Sequence, residues 1–196
     1  GDDARAAARS RYITATGGYP VCMDSDVKYY PLGEEMYADM LRALESAEHF
    51  IFLEYFIIQP GKMWDGIAEI LKRKAAQGVD VLLICDDMGS LFLLPQGFAR
   101  EMERSGVKTL MFNPFIPVLS LAMNNRDHRK IMDVDGHTVF TGGVNLSDEY
   151  INAVELHGHW KDTGVRVTGE AAWNFTAMFL EFWHAYRPES ANEPLD

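Results

Sequence analysis

Between Gly33 and His49 the apolar residues Met36, Tyr37, Met40, Leu41 and Leu44 recur three and four positions apart, which places them on one face of a helix. The next segment, Phe50 to Ile58, is apolar almost without a break and rich in aromatic and β-branched residues, with Glu54 inside it and Gln59-Pro60-Gly61 after it. It reads as a buried strand closed by a turn. A helix from about Met63 to Gln77 ending at Gly78, a strand from Val79 to Cys85, a short helix from Gly97 to Arg104 and a strand from Val107 to Phe112 follow in order. Strands alternating with helices imply right-handed crossovers and an α/β fold, a mixed, largely parallel sheet flanked by helices on both faces. In such sheets ligands sit beyond the C-terminal ends of strands, here the loops at 86–96 and 113–125.

Farther along, Asp135-Gly136 separates two β-rich runs, the strongest short signal for a hairpin. A two-residue turn there sets Met132 opposite Val139, Lys130 opposite Thr141 and His128 opposite Gly143, so that His128, Lys130, Thr141, Gly143 and Asn145 line one face. Asn145 is then diagonal to His128 at about 7–8 Å. The set supplies a nucleophile or base, a cation, an amide donor and, at Gly143, open space for a phosphate to approach. Asp135 lies about 23 Å of extended chain from His128; with Gly136 it is expected to make the turn and hydrogen-bond locally. Trp160 to Thr168 reads as a later strand. Glu170 to Tyr186 reads as a closing helix whose Trp173, Phe175, Phe179, Leu180 and Phe182 pack into the core.

Composition narrows the field. The 196 residues suit one domain, and 47% hydrophobic with 24% charged residues is the balance of a folded protein. No apolar run approaches the ~20 residues of a membrane-spanning helix. Lys plus Arg number 18 against 29 for Asp plus Glu, a net charge of −11, the wrong sign for binding a phosphate polymer along an extended surface. The charge therefore argues against nucleic acid as a partner, although the run Arg126, Asp127, Arg129 and Lys130 is locally basic. Cys22 and Cys85 cannot build a disulfide framework, consistent with a reducing, intracellular setting. His49, His137, His157, His159 and His184 show no metal-ligand spacing and are read as structural. Residues 1–18 form an N-terminal extension, 19–186 the folded domain and 187–196 a linker-like tail.

The run from His128 through Lys130 to Asp135 is H-x-K-x-x-x-x-D, and Gly142-Gly143-Val144-Asn145 is G-G-x-N; together they resemble the phospholipase D superfamily. Phe50 to Phe56, Asn125 to Lys130, Asp148-Glu149-Tyr150 and Gly158 to Asp162 are similar to the first, N-terminal catalytic half of bacterial cardiolipin synthases, and the similarity runs from about Tyr19 to Tyr186. The resemblance implies a phospholipase D-like half-domain that transfers a phosphatidyl group between two phosphatidylglycerol molecules through a phosphohistidine intermediate, with no cofactor and no metal. It makes His128 the nucleophile and Lys130 and Asn145 the ligands of the phosphate oxygens. It also calls for a carboxylate behind the imidazole, which falls by position on Asp162, with Glu155 the weaker match. Thr141, Gly143, Glu54 and Arg126 are the candidate substrate contacts.

Such sites are assembled from two motifs, and one occurs here. The expected partners are phosphatidylglycerol, a membrane surface, and either a second phospholipase D-like half of the same protein or a second copy of this chain. The expected location is the cell membrane, with anchoring segments outside this chain and a cytoplasmic catalytic domain. A homodimeric phosphodiester hydrolase or nuclease and an inert isolated half are the alternatives. Two local expectations complete the reading. Glu54, flanked by apolar residues, requires a partner, Arg126 or Lys130, unless it sits at the strand's solvent end. The run Asn113 to Leu121, with Pro114 and Pro117, is an apolar loop that either receives acyl chains or covers a core or partner surface.

Overall fold

A computed structural model describes residues 2–90, 93–113, 126–156 and 158–187. The apolar loop expected at 113–121 lies outside the described residues beyond Asn113, as do the tail beyond Arg187 and His157. Among the described residues seven strands form one sheet: β1 (Ser25–Tyr30), β2 (Phe50–Tyr55), β3 (Asp80–Asp86), β4 (Val107–Phe112), β5 (Lys130–Val134), β6 (Thr138–Gly142) and β7 (Gly164–Gly169), in the order β1-β7-β6-β5-β2-β3-β4. The helices are α1 (Asp2–Gly17), α2 (Gly33–Ser46), α3 (Lys62–Ala76), the single turn α4 (Asp87–Ser90), α5 (Phe98–Arg104) and α6 (Ala172–Tyr186). No described helix is long and apolar enough to cross a membrane.

The sheet is mixed and covered on both faces, as the pattern implies, but parallel pairing is confined to β2-β3 and β3-β4. The other four pairings are antiparallel. The balance shifts because β5 and β6 form a hairpin against β2, and because β1, whose Val27 and Tyr29 are exposed, adds a strand with no clear hydrophobic signal. Buried Asp39 on α2 holds β1 in place through Lys28 and the Tyr30 hydroxyl.

β2 is buried along its whole length between β3 and β5. Its alternate residues face two separate cores. Ile51, Leu53 and Tyr55 pack with Met36, Met40 and Leu44 of α2 and Ile67 and Leu71 of α3. Phe50 and Phe52 pack with Phe179 and Trp183 of α6, the rings of Phe52 and Phe179 stacking at 4.8 Å. The apolar stripe of α6 is rotated from the expected one: Ala172, Thr176, Phe179 and Trp183 are buried, whereas Trp173 is 55% exposed. Trp173 instead leans over Gly136, where an added Cβ would lie 2.6 Å from its ring and where φ is +63°.

The hairpin register differs by one residue from the two-residue turn. Val134 pairs with Thr138 and Ile131 with Thr141. The turn bond from the His137 amide to the Val134 carbonyl is made, but tertiary bonds bear on the turn: the His137 carbonyl accepts from Gly169 at the end of β7, and the Asp135 amide donates to the Phe50 carbonyl. Asp135 does occupy the turn, at φ +55°, but its carboxylate does not bond locally. It accepts from the backbone amides of Glu48, His49 and Phe50 at 2.8–2.9 Å. Asp133, fully buried on the α6 face, accepts from Gly136 N and from the Thr176 hydroxyl, joining the turn to α6.

Two outcomes follow. Asp135→Ala orphans three amides at the start of β2 and should lower unfolding free energy by about 2–3 kcal/mol in urea titrations, with Asp135→Asn less severe; a loss within about 0.5 kcal/mol would contradict the anchoring role. Burial lifts the Asp133 carboxyl to about 7, so the folded chain keeps a proton that the unfolded one loses near pH ~4. Stability therefore falls as pH rises from about 4 to about 7 on this account, and Asp133→Asn should reduce that slope; an unchanged slope would refute it.

Candidate active site

His128 is exposed, just before β5, with its ring against Phe56 at 4.7 Å between centroids. Lys130, the first residue of β5, pairs with Tyr55 at the C-terminal end of β2 and is buried. Its Nζ lies 3.0 Å from His128 Nδ1, donates to the His128 carbonyl at 2.6 Å and sits 5.3 Å from the Phe56 ring centroid. Burial lowers the Lys130 pKa, opposed by the carboxylates of Asp127 and Asp162. An ammonium in this position is poorly solvated and strongly drawn to any anion that enters.

The remaining predicted residues are distributed differently from the register of a two-residue turn. Thr141 pairs with Ile131, so it faces α6 with Ile131 and Val139, away from Lys130; a one-residue register shift moves a strand's side chains to the opposite face. Gly143 does not leave open space: a Cβ there would lie 2.0 Å from Asp162 Oδ1. The cleared volume holds the Asp162 carboxylate, whose Oδ1 accepts from the Thr163 amide at 2.7 Å. Asp162 thus stands within electrostatic reach of Lys130, and no hydrogen bond joins it to His128 among the described residues. Glu155 is exposed. Asn145 is buried; its Oδ1 accepts from the Ile57 amide at 3.1 Å and its Nδ2 donates to the Tyr150 hydroxyl at 2.9 Å, leaving one amide hydrogen of its side chain.

Beneath His128 lies a layer of buried charge. Glu54, fully buried, has Arg129 Nε at 2.6 Å from its Oε1, and Arg129 Nε also donates to Asp127 Oδ1 at 3.1 Å. The partner is therefore Arg129, not Arg126 or Lys130. Being paired with Ile131 across from β2, Glu54 lies on the α6 face, and Lys130 lies on the other. Burial, reinforced by Asp127, pushes the Glu54 carboxyl up to about 9, so it holds its proton at neutral pH. Arg126 instead approaches Asp86 at 3.5 Å and donates to the Asn113 carbonyl at 3.2 Å. Asp86, at the end of β3, also accepts from the Asp127 amide at 3.0 Å. Arg129, Asp127 and Asp86 are site components that the sequence pattern did not single out. The alternation of Arg129 with His128 and Lys130 was the available signal, because it puts this guanidinium opposite the lysine, on the side of Glu54.

Arg126, Asp127, His128 and Arg129 line a cleft of about 490 Å³ with Phe112 and Phe182. A larger hollow of about 640 Å³, lined by Asp87, Ser90, Leu94 to Arg100 and Met111, contains none of the motif residues. Among the described residues no cluster of His, Cys, Asp and Glu is arranged to hold a metal ion. The arrangement offers an exposed imidazole, a desolvated cation beside it and a carboxylate close to that cation, which suits nucleophilic attack on a phosphate ester.

Residues 40–183 match the family model described as cardiolipin synthase, PLD-like domain. The chain is 38% identical over 169 residues to a cardiolipin synthase of Alkalihalophilus pseudofirmus, covering 86% of this chain and 33% of that protein. It is 37% identical over 169 residues to one of Geobacillus thermodenitrificans, covering 86% and 34%. It spans about a third of the length of these relatives. The fold resembles that of Nuc, a phospholipase D family member from Salmonella typhimurium, with a TM-score of 0.56 at 21% identity, covering 84% of this chain and 94% of that one. With the motif-bearing strands β5 and β6 inside a matched segment that spans most of the chain, the chain belongs to the phospholipase D-like domain family of the cardiolipin synthases.

Proposed function

We propose that this chain carries the nucleophilic half of a phosphatidyltransferase site that joins two phosphatidylglycerol molecules at a membrane surface. The observation that carries this reading is the juxtaposition of exposed His128 with buried Lys130, Nζ to Nδ1 at 3.0 Å. In the first step an imidazole nitrogen of His128 attacks the donor phosphorus, the P–O bond to glycerol breaks, and the departing oxygen takes up a proton. In the second step the hydroxyl of another phosphatidylglycerol loses its proton and attacks the same phosphorus, breaking the P–N bond. Lys130 stabilises the phosphate charge that grows in both transition states.

Lys130 donating to Nδ1 would leave the imidazole proton on Nε2, the tautomer in which Nε2 cannot attack. A phosphate oxygen is the stronger acceptor, so substrate draws Lys130 away and frees Nδ1 to carry the proton. Asp162, seated over Gly143, keeps the ammonium charged and in place. The protons taken up and lost at the glycerol oxygens require a second acid and base, worth about 10²–10⁴-fold in rate. Within the described hairpin the next histidine, His137, is in the far turn. A second phospholipase D-like half, in the same protein or in another copy of this chain, would supply that group, and a monomer of this chain would be inactive.

In the full-length protein, His128→Ala should reduce cardiolipin formation to background and Lys130→Gln by about 10²–10³-fold, while Asp135→Asn retains transfer wherever it remains folded. Transfer by His128→Ala at the wild-type rate would overturn the reading. Gly143→Ala pushes a methyl into the Asp162 carboxylate, so it and Asp162→Asn should lose activity to similar extents, and the double variant should be no worse than either. Additive losses would show that the two residues act separately.

A further inference from the structure

The reaction proposed above involves two anionic lipids, yet His128, Lys130 and Asp162 account for one phosphate. Arg129 is on the other side of β5 from Lys130: its guanidinium meets Glu54 and Asp127 and lies 4.6 Å from the Phe182 ring centroid on α6. Its Nε is turned toward the buried carboxylates, and among the described residues no hydrogen bond is made by its Nη groups. The side chain is 34% exposed, Asp127 3% and Glu54 fully buried. The acids thus hold the guanidinium from behind while its outer edge faces the cleft. Only one of those two acids neutralises it, because Glu54 holds its proton. Phe182 and Phe112 make the cleft wall apolar, and His128 lines the same cleft.

We propose that this cleft is a second anion subsite, in which Arg129 binds the phosphate of the incoming lipid alcohol and directs its hydroxyl toward His128. The inference rests on the phosphatidyltransferase reading and extends it to the acceptor. A guanidinium held on one edge and open on the other is suited to two parallel hydrogen bonds to a phosphodiester. The apolar wall suits the glycerol carbons between the acceptor phosphate and its free hydroxyl. A neutral alcohol would leave Arg129 unused.

The test uses the full-length protein with vesicles of phosphatidylglycerol as donor and two soluble acceptors, glycerophosphoglycerol, which carries a phosphodiester, and isotope-labelled glycerol, which does not and whose label marks transfer because the product is again phosphatidylglycerol. Wild type should favour glycerophosphoglycerol, the preference shrinking with added salt. Arg129→Gln should lower the ratio of transfer to glycerophosphoglycerol over transfer to glycerol by about tenfold. Arg129→Lys, which keeps the charge beside Asp127 and so guards against loss of folding, should lower it less, through loss of the two-pronged contact. Equal decline with both acceptors would place Arg129 in the donor site or the scaffold and overturn the inference while leaving the transferase reading intact. An unchanged ratio in both variants would overturn it as well. Failure of the wild-type protein to transfer to either acceptor would instead remove the reading on which the inference rests.

Discussion

Three backbone amides at the start of β2, those of Glu48, His49 and Phe50, point at one carboxylate, that of Asp135 in the β5–β6 turn. The rest of the site depends on this contact. Amide donors that leave a helix–strand junction have no ladder partner of their own, and a charged acceptor stabilises them more than a neutral one would. The Phe50 carbonyl returns the contact by accepting from Asp135 N. The hairpin is therefore clamped to the central strand at one end, and its register is dictated there, at the end farthest from the chemistry. That register places Lys130 beside Tyr55 and sends Thr141 to the α6 face.

At the other end of β5 the structure keeps acidic and basic groups buried, which a packed core tolerates only when they are paired or neutralised. Both solutions are used. Asp86 and Asp127 accept backbone amides and guanidinium groups, whereas Glu54 remains neutral by holding its proton. The two faces of the strand thereby acquire different electrostatics: a desolvated ammonium beside an imidazole on one, an arginine backed by acids on the other. A strand's period of two is what allows His128-Arg129-Lys130 to serve both.

Gly143 illustrates how the fold can replace the reason that the local pattern gives for a glycine. Read in the hairpin alone, a glycine opposite His128 means room for a ligand. In the fold, Thr163 donates to Asp162 and the Gly143 amide donates to the Thr163 carbonyl, so the chain entering β7 brings a carboxylate into that room. A similar long-range closure caps α3: Asp148 accepts from the Lys62 and Met63 amides. Neither contact leaves a mark in local periodicity, because the residues that meet are far apart along the chain.

By itself the sequence determined the α/β class, the positions of α2, β2, α3, β3 and β4 to within a few residues, the existence of the hairpin and the H-x-K-x-x-x-x-D and G-G-x-N motifs. These are legible because helical and strand periodicity, turn residues and motif spacing are properties of neighbouring residues. Only the tertiary structure decided the hairpin register, the pairing of Glu54 with Arg129 in place of Arg126 or Lys130, the seating of Asp162 over Gly143 and the addition of the exposed strand β1. Each was settled by a competition for hydrogen bonds or buried volume between segments distant in the chain, where a one-residue shift changes which face a side chain occupies. Local pattern carries no information about the winner.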